Sequence, residues 1–181
     1  ANATGQTIGM NLALLPTSTG IVNTASGNIT LSGNISGVGG ITKSGNSSLM
    51  LSGANTYDGG TIVNAGTLTL GASNVLANAG NVTVTAGTFA LGANSDAVGT
   101  VQMTGGAITG SGTLTGPSYD LQAGTVSAIL GGTGVAATKS GIGAVTLSGA
   151  NTFTGGLTLS AGTLSVGNAA ALGTGTFTIT G

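Results

Sequence analysis

The stretch KSGNSSLMLSGANTYDGGTIVNAGTLTLG, residues 43–71, returns 96 residues later as KSGIGAVTLSGANTFTGGLTLSAGTLSVG, residues 139–167. The two copies agree at 16 of 29 positions without a gap. A chain that repeats its own sequence usually repeats a structural unit, and the stacking of that unit sets the fold. The repeat therefore favours a structural or surface protein over a catalyst.

Short alternating runs of apolar and polar residues, each closed by glycine, continue outward from the repeat. Examples are NITLSG (28–33), GTLTLG (66–71) and TFTITG (176–181). A period of two predicts β-strands with one buried face. We expect the buried side chains to be Ile29, Leu31, Leu49, Leu51, Leu68, Leu70, Val82, Val84, Phe89, Leu91, Val101, Met103, Leu114, Val145, Leu147, Leu157, Leu159, Leu164, Val166, Phe177 and Ile179.

Corners between these strands are marked by glycine and asparagine. Asparagine tolerates left-handed backbone conformations and bonds to nearby backbone groups, which is expected at Asn55, Asn74, Asn81 and Asn151. The alanine-rich stretches 74–80 and 168–173 are too short for stable helices and are predicted to be corners or single turns.

Many short strands at even spacing suit several all-β architectures, but three features favour a parallel β-solenoid. The repeat is gapless, aromatic residues make up only 3% of the chain, and the alternating pattern has no linker. With coils of about 20–24 residues, the 96-residue offset corresponds to about four to five coils. The whole chain would make about eight coils, a rod roughly 40 Å long.

Two regions are expected along the chain. Residues 1–27 are predicted to be a lead-in, capping or linking segment. Residues 28–181 are predicted to form one continuous β-solenoid that contains the repeat copies at 43–71 and 139–167.

Charge is nearly absent, with two Lys, three Asp and no His among 181 residues. Phosphate recognition needs clustered Lys and Arg, so we expect no nucleic-acid partner. An almost uncharged surface has little repulsion between copies, which makes end-to-end or lateral self-association an expectation. No run of about 18 apolar residues occurs, so the segment is not expected to span a membrane.

The motif LSGANTYDGGTIVNAGTLTLG (51–71), together with LSGANTFTGGLTLSAGTLSVG (147–167), resembles the autotransporter-associated β-strand repeat, also called the passenger-associated transport repeat. The stretch 119–141 is similar to the sequence that joins such repeats. The resemblance covers most of residues 43–181. It implies a single-stranded right-handed parallel β-helix, exported by a type V route and secreted or displayed outside the outer membrane of a Gram-negative bacterium.

The resemblance further implies a scaffold role, because the repeat of this family is associated with passenger folding and translocation. We therefore expect a non-catalytic, adhesin-type passenger segment that serves as a stiff surface stalk or scaffold, with a host or matrix surface as a possible partner. The alternative is a self-assembling subunit of an extracellular filament, sheath or matrix. The family's signal peptide and membrane-embedded C-terminal domain are not visible, which predicts a fragment, a processed passenger or the ordered core of a longer protein.

A glycan-cleaving enzyme on this fold would need paired carboxylates or a carboxylate near a cation. Asp96 and Asp120 lie 24 residues apart, about one coil, and could stack on one face. Solvated corner positions are the favoured interpretation for both. No Glu, Arg or His is available to assist, so we expect no enzyme and assign no catalytic residue.

The remaining charged residues are also interpreted as structural. Asp58 is expected to form a turn, because the matching residue in the second copy is Thr154. Lys43 and Lys139 are expected to be solvated corner residues that blunt aggregation; the alternative is a recurring cation for an anionic ligand. The stretch 131–139 begins like a calcium-binding nonapeptide but lacks its Asp, so no metal ligand and no cofactor are predicted.

Overall fold

The computed structural model describes residues 5–16, 20–24 and 27–180, and every regular element in that part is a β-strand. Twenty-three short strands, β1–β23, pair in parallel throughout, mostly in two long sheets. The first sheet contains β1 (Gln6–Ile8), β4 (Ile29–Leu31), β7 (Ser48–Leu51), β9 (Thr67–Leu70), β11 (Thr88–Gly92), β14 (Ala107–Gly110), β17 (Gly124–Val126), β20 (Ala144–Leu147) and β22 (Thr163–Val166).

The second sheet forms the opposite wall of the same stack. It contains β3 (Gly20–Asn23), β6 (Ile41–Ser44), β8 (Thr61–Val63), β10 (Val82–Val84), β13 (Val101–Met103), β16 (Ser118–Leu121), β19 (Ala136–Lys139), β21 (Leu157–Leu159) and β23 (Phe177–Ile179). Two small sheets lie at the corner between the walls: β12 (Asp96–Ala97), β15 (Thr113–Thr115) and β18 (Ile129–Gly131), and β2 (Leu12–Leu14) with β5 (Ile35–Gly37).

Each coil contributes one strand to each wall, and successive coils stack directly. The register step is 18 residues from Ala107 to Thr125 and 23 residues from Gln6 to Ile29. The predicted parallel β-solenoid of about eight coils is confirmed. The alanine-rich stretches 74–80 and 168–173 are turns, as expected.

The two repeat copies lie five coils apart in perfect register. Starting at Lys43, the column of paired residues in the second sheet reaches Lys139 in five steps, through Val63, Val84, Met103 and Leu121. The sequence repeat is therefore also a spatial repeat. The separation of five coils lies at the upper end of the four to five coils expected from the sequence.

The segment before residue 28 belongs to the same stack. Strands β1, β2 and β3 pair with β4, β5 and β6 of the next coil. Residues 1–4, 17–19 and 25–26 of this segment lie outside the described part, and its capping or linking role stays a prediction.

The core is a narrow aliphatic column between the two walls. Most of the expected inward side chains are fully buried, but Val166, Phe177 and Ile179 are 50%, 39% and 63% exposed. They pair with Leu147, Leu157 and Leu159 and so lie in the expected inward columns, but burial in a solenoid comes from the coils on both sides. Strands β22 and β23 are the last of their sheets, and no described strand stacks on their outer side.

Buried aromatic side chains lie both at the corners of the core and in its walls, where Phe89 belongs to β11 and Tyr119 to β16. Tyr57 and Phe153 occupy matching positions of the two repeat copies, and both are buried. The ring of Tyr119 packs against Phe153 with centroids 6.1 Å apart. The buried Tyr119 hydroxyl accepts a hydrogen bond from the Gly116 N–H (3.1 Å), and its single proton lies within reach of the carbonyl oxygens of Gly131 (2.6 Å) and Leu114 (2.8 Å), which satisfies its polar end.

Candidate functional site

Lys43 is a core residue. It is fully buried in strand β6, in an inward-facing position that Val63 takes in the next coil. Its Nζ donates to the carbonyl oxygens of Ser44 (3.0 Å), Gly45 (2.7 Å) and Ala65 (2.9 Å). An ammonium has three N–H donors, so this cage of carbonyls satisfies all of them.

Lys139 repeats the arrangement in the second copy. It is also fully buried, and its Nζ donates to the carbonyls of Gly141 and Ala161, the residues that match Gly45 and Ala65. In each copy the ammonium joins the corner of its own coil to the corner of the next. We call these two arrangements the lysine cages.

The expectation that these lysines are solvated is wrong for both. Each hydrocarbon stem packs in the apolar column while the charged end reaches backbone carbonyls that replace water. Burial lowers the pKa of Lys43. Burial also lowers the pKa of Lys139, although the negative charge of Asp120 acts to raise it. A cation enclosed in this way is not available to an anionic ligand at the surface.

A second polar device runs along the corner between the walls. The buried Asn55 accepts a hydrogen bond from the Ile35 N–H (2.8 Å) and donates to the Val75 carbonyl (2.9 Å). Asn151 does the same between Leu130 (2.8 Å) and Ala171 (2.6 Å). Each amide therefore adds side-chain hydrogen bonds that join three coils at the corner.

Asp96 occupies the same corner column. Its Oδ2 accepts hydrogen bonds from the N–H groups of Val75 (2.8 Å) and Leu76 (3.0 Å), and the residue is 3% exposed. Its Oδ1 is buried and has no partner among the described residues. Burial raises the pKa of Asp96, although the backbone hydrogen bonds act in the opposite direction.

Asp120 is only partly buried and lies in β16 of the second sheet, with its side chain among polar neighbours. Its carboxylate accepts hydrogen bonds from Gln102 (3.1 Å), Gln122 (2.8 Å) and Ser140. Burial alone would raise the pKa of Asp120, but the hydrogen bonds from Ser140, Gln122 and Gln102 outweigh it and hold the pKa below its usual value.

The two carboxylates that could have formed a catalytic pair do not stack. Asp96 pairs with Leu114 at the corner, whereas Asp120 pairs with Gln102 in the second sheet. The assignment of both to solvated corners is also wrong, because Asp96 is buried and Asp120 lies within a strand. Asp58 is exposed in a bend, which agrees with its predicted turn position.

A surface cavity of about 340 Å³ lies at the corner of two successive coils, next to Asp58. Its polar rim consists of Thr56, Asp58, Asn74 and Asn78, and the buried Asn55 and Leu76 form its floor. We call it the corner cleft. Sequence reasoning did not find it, because Asn74 and Asn78 meet Asp58 only through the stacking of coils.

No group of three or more Asp, Glu, His or Cys side chains that could hold a metal ion occurs among the described residues. No described helix is long and apolar enough to cross a membrane.

Comparison with known proteins identifies the repeat. The family model of the passenger-associated transport repeat matches residues 41–70 and 138–166. The adhesin BmaC autotransporter of Brucella suis biovar 1 (strain 1330) is 36% identical to the chain over 168 aligned positions, and the match covers 88% of this chain. The chain spans 4% of the length of that relative. No solved structure shows a significant match.

Proposed function

Because the chain is a passenger-associated transport repeat protein with two copies of that repeat, we propose that it is a non-catalytic segment of an adhesin-type autotransporter passenger. In this role it lies outside the outer membrane and serves as a stiff stalk or scaffold. The similarity to an adhesin autotransporter supports the assignment to a passenger.

The observation that carries the scaffold role is the unbroken hydrogen bonding between coils. Both walls are nine-stranded parallel sheets that run the length of the stack. The lysine cages and the corner asparagines supply hydrogen bonds between coils where the strands end. A stack whose coils are joined at the walls and at the corners resists bending and local opening.

The placement of the charged residues supports a role without catalysis. General acid–base chemistry needs two groups that reach one substrate. Asp96 is buried and lies in a different sheet from Asp120, and both lysines are enclosed by backbone carbonyls.

An in-register deletion tests the scaffold role. Removing residues 43–138 places Lys139 after Thr42 and removes five whole coils. If the coils act only as a stacked support, the shortened chain folds and its rod shortens by about 24 Å, five times the strand spacing. Circular dichroism measures whether the shortened chain folds, and electron microscopy measures the length of the rod. A chain that unfolds after this deletion would contradict the modular scaffold. The control is a longer deletion that removes five and a half coils, which breaks the register between coils and should destabilise the chain.

Placement outside the cell is tested on the full passenger. An epitope tag inserted at the exposed Ile142 should be cleaved by protease added to intact cells. Protection of the tag in intact cells, with cleavage after lysis, would contradict the surface location.

The alternative function, a subunit of a filament or matrix, is favoured by one observation. The chain has two Lys and three Asp among 181 residues, and Lys43, Lys139 and Asp96 are buried, so its surface offers little charge repulsion between copies. Electron microscopy of the purified chain separates the two functions. Filaments of constant width would support assembly, whereas dispersed rods roughly 40 Å long would support the stalk.

A further inference from the structure

The corner cleft carries polar groups that the fold itself does not use. Among the described residues, the side chains of Thr56, Asp58, Asn74 and Asn78 make no hydrogen bond to the protein. Other polar side chains at the corners are engaged: both polar atoms of Asn55, for example, are bonded to backbone. Four free donors and acceptors around one cavity can therefore bind a ligand without breaking a structural contact.

The matching corner five coils away shows that the scaffold does not require these groups. At the 96-residue offset it has Thr154 in place of Asp58, Ala170 in place of Asn74 and Thr174 in place of Asn78. That corner is nevertheless built in the same way, since Asn151 joins Leu130 to Ala171 as Asn55 joins Ile35 to Val75. The carboxylate and the two amides are thus particular to the first corner.

The chemistry of the rim defines the class of ligand. Asp58 can accept two hydrogen bonds from neighbouring hydroxyls, and the amides of Asn74 and Asn78 can each donate and accept. Leu76, Ala77 and Ala79 offer small apolar surface for C–H groups. The lining contains one acidic residue and no cation, so an anionic ligand would be repelled without compensation.

We propose that the corner cleft binds a neutral saccharide, with Asp58 accepting hydrogen bonds from two adjacent hydroxyls and with Asn74 and Asn78 contacting its other polar groups. This inference extends the proposed adhesin-type function, on which it rests, by placing a glycan-binding subsite on the scaffold itself. The site lies where the first repeat copy meets the segment that follows it, and the matching corner of the second copy lacks its carboxylate and amides.

Nuclear magnetic resonance titration of the purified chain tests the site. The probes are the methyl glycosides of glucose, galactose, mannose and N-acetylglucosamine, with glucuronate as the anionic control. At least one neutral glycoside should shift the backbone amide signals of Asp58, Asn74 and Asn78 in a saturable way. Signals around Thr154 should stay in place, and glucuronate should bind more weakly than the neutral sugars.

The matched variant is Asp58→Thr, which installs the residue of the second copy at a position where the fold accepts it. Loss of the charged acceptor should raise the Kd about tenfold or more. Thr154→Ser, at the matching corner five coils away, should leave the Kd for the saccharide unchanged. Titration in the presence of a chelator should give the same Kd, since the site is not a metal site.

Three results would overturn the proposal: no saturable shift at the cleft with any neutral glycoside, shifts spread over the whole surface, or an unchanged Kd in Asp58→Thr. None of these depends on display of the full passenger, which is measured separately. A displayed passenger whose purified segment binds no saccharide would refute the cleft and leave the proposed function intact. Saccharide binding by a segment that is never displayed would support the cleft and refute the proposed function.

Discussion

Lys43 and Lys139 occupy the same inward-facing column of the second sheet, five coils apart, and each buried ammonium donates to backbone carbonyls of its own coil and of the next. The intervening positions of the column hold apolar residues. A cation placed in an aliphatic core is tolerated here because the carbonyl oxygens of the corner replace its hydration.

Replacing Lys43 by Met should destabilise the chain although it removes a buried charge. Apolar replacement of a buried ion pair can be neutral or favourable, but here no partner charge leaves with the lysine. The carbonyls of Ser44, Gly45 and Ala65 lose a shared donor, and we expect a cost of about 1–3 kcal/mol. Urea denaturation measures it, with Thr42→Ser on the outer side of the same strand as control. Equal or higher stability of Lys43→Met would contradict the role of the cage.

Asp96→Asn should stabilise the chain at neutral pH. Burial raises the folded pKa of Asp96 above the unfolded value of about 3.8. Between the two values the unfolded chain releases a proton that the folded chain keeps, so the free energy of unfolding falls as pH rises through this window. An amide removes the titration, and its Nδ2 can donate as those of Asn55 and Asn151 do.

Denaturation of both proteins at several pH values checks this prediction. The wild-type chain should lose stability from acid to neutral pH relative to Asp96→Asn, and the two should converge in acid. A wild-type chain that gains stability over the same range, relative to the variant, would show that Asp96 is ionised in the folded state.

Asn55→Ala should cost about 1–3 kcal/mol, because the Ile35 N–H loses its partner in a buried corner. Asn151→Ala should cost a similar amount through Leu130. The control is Asn46→Ala, at an exposed position whose side chain makes no hydrogen bond within the described residues. Differential scanning calorimetry compares the three variants, and equal melting temperatures for Asn46→Ala and Asn55→Ala would refute the corner role.

Two glycines separate backbone strain from steric clash. Gly66 and Gly92 both have φ of +63°, but an added Cβ at Gly66 would lie 2.4 Å from the Gly45 carbonyl oxygen and 2.7 Å from the Lys43 Nζ. At Gly92 it would meet nothing within 4 Å. Gly92→Ala should therefore cost about 1–2 kcal/mol from the left-handed conformation alone. Gly66→Ala should cost clearly more, and equal costs in urea denaturation would show that the cage yields to the added methyl group.

The walls of the fold could be predicted from the sequence because their signal is local. Alternation in runs such as TLTL (67–70) assigns the buried face of each strand, and the 96-residue repeat establishes a stacked array. The same alternation places Lys43 two residues after the buried Ile41, on the inward side. That signal was available, but the charge of the residue argued for the surface.

The corner cleft and the corner column could not be predicted in this way. Asn55, Val75 and Asp96 are about 20 residues apart, and the step between paired residues of successive coils varies from 16 to 23, so counting along the chain does not tell which residues meet. The assignment of Asp96 to a solvated corner failed for this reason.

The repeat, the strand faces and the repeat family can be read from the sequence alone, because strand alternation and motif identity depend on residues close together in the chain. The contacts across coils follow only from the tertiary structure. They include the carbonyl cage of Lys43, the Asp96 oxygen that has no partner among the described residues, and the cleft that Asp58 shares with Asn74 and Asn78. These contacts depend on the register between coils, which is fixed only when every coil packs its apolar face against its neighbours and pairs its backbone with theirs.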